Sequence, residues 1–228
     1  MSTASKNTCK LSGRSLSKGL SIWGVAIVVA MILGQAATAA PIALYDSISS
    51  MVGDADPANN GSWLANQFNT DAASYDLNSV VLNFSAAPLG TIAVDIYSDA
   101  SGTPSTNLGT LTNPGSFGAG SNTFSAAGIP TLASASSFWV VLRGVGSGSV
   151  GWNWTNDTPT GLGSSMNTNL SGNSGQTWGG LVSGTPYLMT VNATAASAVP
   201  EIDPASFGSA LSLVLGSLAI IERRRRQG

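Results

Sequence analysis

The sequence predicts an all-β body, an antiparallel β-sandwich of jelly-roll type, flanked by an N-terminal signal helix and a C-terminal transmembrane helix. Three observations carry this. Between residues 40 and 195 the apolar residues come in short bursts divided by Gly, Pro, Asn and Ser clusters, the punctuation of short strands. Nowhere in that body do apolar residues recur with a helical period, as an amphipathic helix would require. Each end, by contrast, pairs basic residues with an uninterrupted apolar run.

Residues 1–39 read as a secretory leader. Lys6, Lys10, Arg14 and Lys18 form a basic n-region, Leu20 to Leu33 an apolar h-region, and Gln35-Ala36-Ala37-Thr38-Ala39 an A-x-A-type site, in the order of a signal peptide. Cleavage is expected between Ala39 and Ala40, because a cut after Ala40 would leave Pro41 at the first mature position. An uncleaved anchor is the alternative. The one cysteine, Cys9, lies inside the leader, so no lipoprotein attachment follows the h-region.

The body, 40–195, is expected to begin with a strand at Ile42 to Ile48 and to continue with Trp63 to Phe68 and Ser79 to Phe84. After the turn Pro88-Leu89-Gly90, Ile92, Val94 and Ile96 alternate with Ala93, Asp95 and Tyr97, the period of a half-buried strand. Phe138 to Leu142 is apolar at every position, which fits a central strand covered on both faces. Val150 to Thr155 alternates again, and Tyr187 to Val191 closes the domain. Ser98 to Pro104 and Asn113-Pro114-Gly115 read as turns. No internal repeat is present. From Asn192 to Val199 the chain is small and polar, which suits a linker.

Residues 196–204 hold a linker and a short polar motif, Val199-Pro200-Glu201-Ile202-Asp203-Pro204. An apolar run of 17 residues follows, 205–221, about 25 Å of helix at roughly 1.5 Å per residue, at the short end of what crosses a membrane. Arg223, Arg224, Arg225 and Arg226 in the basic tail, 222–228, then hold the C-terminus on the cytoplasmic side. Everything before the tail is thereby placed across the membrane.

With the ends set aside, the chemistry of the body changes. The formal charge of −2 for the whole chain hides eight aspartates against a single cation, Arg143, between Ala40 and Val199, a net of −7. That body contains no Lys, Glu, His or Cys. Nucleic acid is rejected as a partner, since phosphate neutralisation needs Lys or Arg. Acid–base catalysis near neutral pH rests mostly on the missing residue types, no Ser-His-Asp or Cys-His set can be assembled, and the usual zinc ligands are absent. Two aspartates could serve a glycosidase, but no spacing singles out a pair. The chain reads as non-catalytic, with no cofactor and no metal.

The tail resembles a PEP-CTERM sorting signal, read by the exosortase family of membrane transpeptidases in Gram-negative bacteria. Pro200-Glu201 matches the start of the Pro-Glu-Pro core, and Ile202 stands where the second Pro usually is. The body is similar to the choice-of-anchor R domain found upstream of such tags. The similarity is carried by Trp63 to Phe68, Ile96 to Asp99 with the Gly102-Thr103-Pro104 turn, Phe138 to Leu142, and Val150 to Trp154. The resemblance implies a β-sandwich in an extracellular setting, with Val199, Pro200 and Glu201 as the processing residues of the tail. It also implies an exosortase-type enzyme and signal peptidase as partners. The family has no assigned activity.

Three constellations in the body are candidates for binding. Trp152 and Trp154 lie two apart on a strand and so share a face, where they would stack on sugar rings; the alternative, and the preferred reading, is that they fill the core. Trp63, Trp139 and Trp178 could join them. Asp54 and Asp56 could offer oxygens to Ca²⁺, against a solvated acidic turn. Asn-x-Ser/Thr sequons stand at Asn60, Asn83, Asn153, Asn156, Asn169 and Asn192. The function expected is that of an exported, non-catalytic cell-surface or matrix protein, transiently held in the inner membrane and associated with exopolysaccharide. A lectin-like carbohydrate-binding module and an Asp-based hydrolase are the other classes.

Overall fold

The computed structural model describes residues 40–196 and 222–227. The leader, Ala39, the motif at Val199, Pro200 and Glu201, and the apolar run 205–221 lie outside the described residues. Within them are eleven strands: β1 Ile42–Asp46, β2 Asp54–Asn59, β3 Trp63–Asn69, β4 Tyr75–Phe84, β5 Leu89–Ala100, β6 Thr103–Thr110, β7 Gly120–Ser125, β8 Ser137–Trp154, β9 Asn167–Ser171, β10 Val182–Ser183 and β11 Met189–Ala195. Every pairing between them is antiparallel. The all-β expectation holds.

The two layers expected of a sandwich are joined into one hydrogen-bonded sheet, ordered β1-β11-β4-β8-β3-β9-β10, with β2 and β5 also on β8, β6 on β5 and β7 on β4. The joint is β8. Its first half lies between β3 and β5, as in the pairs Leu64↔Leu142 and Val94↔Leu142. Its second half pairs with β2, from Asn59↔Ser149 to Asp54↔Trp154, and reaches β4 through Phe84↔Trp152. The two strands expected at Phe138 to Leu142 and Val150 to Thr155 are one, continuous through Gly144-Val145-Gly146-Ser147-Gly148. Here the register against β5 shifts, from Thr91↔Val145 to Leu89↔Ser149, so the strand bulges without leaving the sheet. Glycine permits it: a Cβ at Gly148 would stand 1.7 Å from the carbonyl oxygen of Thr91, inside any tolerable contact.

The alternation of β8 sorts its side chains into two apolar clusters. Phe138, Val140, Leu142 and Trp152 enter the main core with Phe68, Leu82, Ile92, Ile96, Met189 and Val191. Trp139 and Val141 point the other way and pack with Ala65 under Trp63, Tyr97 and Trp178. The apolar run Phe138 to Leu142 is therefore covered on both faces, as a central strand should be.

Five strands have no counterpart among the expected ones: β2, β6, β7, β9 and the two-residue β10. β2, where the sequence suggests an acidic turn, contains Pro57; it pairs with β8 alone, and an edge strand tolerates a residue that cannot donate to a ladder. β6, β7 and β9 are rich in Thr, Ser, Asn and Gly and carry no clean apolar alternation. β5 and β6 form a hairpin about Ser101-Gly102, both at positive φ, the backbone a two-residue type I′ turn requires. The stretch taken as a linker from Asn192 is corrected through Ala195. It continues β11 between β1 and β4, with Ala193 wholly buried.

Candidate functional site

A cleft of about 370 Å³ opens on the surface of the body. It lies between β2 and the β9–β10 edge of the sheet. Asp56 and Pro57 of β2 form one wall, Thr168, Asn169, Leu170 and Val182 the opposite one, and Ser62, Leu64, Thr185 and Tyr187 complete it. The volume lies at the lower end of the roughly 300–1,000 Å³ of small-molecule sites.

Tyr187 is the rigid element of the cleft. Its ring stacks on Trp152 with centroids 4.5 Å apart and an interplanar angle of 18°. Its backbone N–H donates to Asn66 Oδ1 at 2.8 Å, and its carbonyl accepts from Ser47 Oγ at 3.0 Å. Its hydroxyl donates to Asp56 Oδ2 at 2.8 Å. Burial first, and then the hydrogen bond to the Asp56 carboxylate, push the phenol far above its ordinary value. The group therefore stays a neutral donor throughout the neutral range, and it fixes one oxygen of Asp56. Among the described residues nothing engages the other oxygen, and Asp56 is half-exposed.

Trp152 lies behind this wall rather than on the surface. It is fully buried, and its Nε1 donates to the Leu188 carbonyl at 3.1 Å. Trp154 shares its inward face, as the spacing requires, and packs half-buried against the main core. Gly53 presses on its ring so closely that a Cβ there would stand 2.4 Å from Cζ3. The two tryptophans therefore form no exposed stacking platform; the face they share is the inner one. Asp54 is exposed on the same strand as Asp56, with its Oδ1 accepting from the Ala55 N–H. Among the described residues no group of three His, Cys, Asp or Glu could hold a metal ion.

The outer face of β3, β8 and β5 carries a second cluster of functional groups, and these satisfy one another. Arg143 Nε donates to Asp95 Oδ2 at 2.6 Å, and Thr110 Oγ1 donates to Asp95 Oδ1 at 2.5 Å. The guanidinium sits 5.2 Å from the centroid of the Trp63 ring. Trp139 Nε1 donates to Asp99 Oδ1 at 2.8 Å, which Gln67 Nε2 also approaches at 3.3 Å. A fully exchanged network of this kind holds a sheet face together and leaves little for a ligand.

Of the tail, residues 222–226 form a helical turn in which Arg226 donates to Glu222, one turn back. Arg223, Arg224, Arg225 and Arg226 are all exposed. Among the described residues no helix is long and apolar enough to cross a membrane.

No protein-family model and no curated protein matches the chain. Among solved structures it is similar to the crystal structure of the cysteine protease and lectin-like domains of a surface layer associated protein of Clostridium difficile. That likeness has 12% identity and a TM-score of 0.40, over 66% of this chain. The chain spans 38% of that neighbour's length. A likeness of this degree says nothing of what the present chain binds.

The sequence offers Asp56 as a possible Ca²⁺ ligand and Tyr187 as the start of a strand, with nothing local to join them. They lie 131 residues apart, and only the fold brings them together. The one local signal was the Asp-Ala-Asp-Pro alternation of β2.

Proposed function

We propose that this is an exported, non-catalytic protein of the cell surface or extracellular matrix of a Gram-negative-type bacterium. Its body is a jelly-roll-like sandwich of the choice-of-anchor R kind, and its tail a PEP-CTERM-like signal. Signal peptidase removes the leader, the apolar helix holds the chain briefly in the inner membrane, and an exosortase-type enzyme acts at Val199, Pro200 and Glu201. The mature protein associates with exopolysaccharide.

The observation that supports this best is the charge distribution. Eight of nine basic residues lie in the two ends, four in each, and the body between them carries a net of −7 with abundant Ser, Thr, Asn and Gly. Such a body suits a hydrated, neutral polymer. A lectin-like module is the second reading, favoured by the open cleft beside Asp56 and no longer by Trp152 and Trp154.

The test is fractionation of a tagged chain in a bacterium that carries an exosortase. N-terminal sequencing should start at Ala40-Pro41-Ile42. Deleting 205–228 should release a folded body from the membrane fraction. A surface form that retains Met1, or a truncated form that aggregates, overturns the reading.

A further inference from the structure

We infer that the cleft between β2 and the β9–β10 edge binds a neutral sugar residue of a polysaccharide, whose hydroxyls donate to Asp56. This rests on the reading of the body as a polysaccharide-associated domain and names the place and the chemistry.

Charge decides first. Asp56 is the one carboxylate lining the cleft, and the body's single cation, Arg143, is bound to Asp95 on the outer face. A uronate, sulfate or phosphate would meet a carboxylate with no counter-charge. An anionic occupant is thereby disfavoured.

Hydrogen bonding decides next. Asp56 presents an acceptor that no described residue engages, held in place because the Tyr187 hydroxyl grips its partner oxygen. A carboxylate so oriented accepts from hydroxyls in short, charge-assisted bonds. Ser62, Thr168 and Thr185 line the same space, and a hydroxyl can both donate and accept. The ligand therefore carries several hydroxyls.

The apolar wall completes the match. Leu170 and Val182 are 48% and 52% exposed at the rim, above Leu64 at 1%. A hydroxylated ligand that also has a C–H face covers them, and a pyranose ring has both.

The experiment uses the full chain in lipid nanodiscs and isothermal titration calorimetry. The probes are neutral tetrasaccharides of gluco, galacto and manno configuration, with tetragalacturonate as the anionic comparison. At least one neutral probe should bind, with tetragalacturonate at least tenfold weaker. Asp56→Asn, which keeps an acceptor for the Tyr187 hydroxyl, should weaken that binding about tenfold or more, the scale of a lost charge-assisted bond. Val182→Glu, at an exposed position where folding is not at stake, should abolish it. Absence of binding to all three neutral probes overturns the inference, as does equal binding of tetragalacturonate or indifference to both substitutions. Any of these leaves the sorting reading standing if fractionation succeeds. Failed export with intact binding would do the reverse.

Discussion

Replacing Arg143 by methionine strands a carboxylate. Asp95 has no side-chain exposure and its partner 25%, so removing the cation leaves a buried charge with only the Thr110 hydroxyl and the neighbouring sheet to satisfy it. Breaking one side of a buried pair costs about 3–5 kcal/mol. Because water reaches the Arg143 side, the low end applies, about 3 kcal/mol once screening is counted. Against a typical total of about 5–15 kcal/mol, that is a large share. With a urea slope of about 2 kcal/mol per molar, the midpoint should fall by about 1.5 M. Adding Asp95→Asn removes the stranded charge while keeping an acceptor for Thr110. The double variant should therefore recover to within about 1 kcal/mol of the parent, the remainder being the guanidinium's contact with Trp63. Urea melts of the parent, the two single variants and the double variant form the cycle. If Arg143→Met and the double variant lose the same stability, the cost lies in packing on Trp63 and the buried-charge reasoning is refuted.

Trp139→Ala should cost about 3–5 kcal/mol, since the ring is wholly buried in the smaller cluster; Trp154→Ala, half-exposed, should cost less, and denaturant melts that show the reverse order would contradict this placement. Gly53→Ala should destabilise by about 1–3 kcal/mol through the clash with the Trp154 ring, visible as a shift in tryptophan emission and a lower melting midpoint. Alkaline pH should unfold the body. Burial raises Tyr45 to about 12, and burial and Asp56 raise Tyr187 further. Folded pKa values above the unfolded 10 mean that the unfolded chain loses these protons first. The stabilisation is whole below pH 10 and falls as pH rises from there through 12. Phenolate absorbance should appear late and together with loss of sheet signal; ionisation near pH 10 in a folded protein would refute it.

How much of this could be read from the sequence depended on whether a strand's environment is written in its own residues. Phe138 to Leu142 announced a doubly covered strand because both faces are apolar, and Ile92, Val94 and Ile96 announced one buried face. Thr103–Thr110 and Asn167–Ser171 could not, since edge strands need few apolar side chains to take their place. Ala193 was lost to a linker reading because a small residue between Asn192 and Thr194 looks the same exposed or buried. For the site, spacing correctly put Trp152 and Trp154 on one face. Which face that is depends on the bulge before Ser149 and on Tyr187, far along the chain. Asp56 and Tyr187 become neighbours only through the pairing of β2 with β8 and the return of the chain before β11.

The pairing of β1 with β11 gives the domain a geographical polarity. Ile42 lies across from Ala193, so the chain enters and leaves at the same pole. Tyr187 stands six residues before Ala193, just ahead of the outgoing strand β11, about 20 Å away at roughly 3.3 Å per residue. A body moored at that pole would carry its cleft at the opposite one, like a lantern on a short post. Trimming at either terminus would act at the mooring and leave the cleft untouched, so the same opening would face outward from a tethered protein and remain available after release.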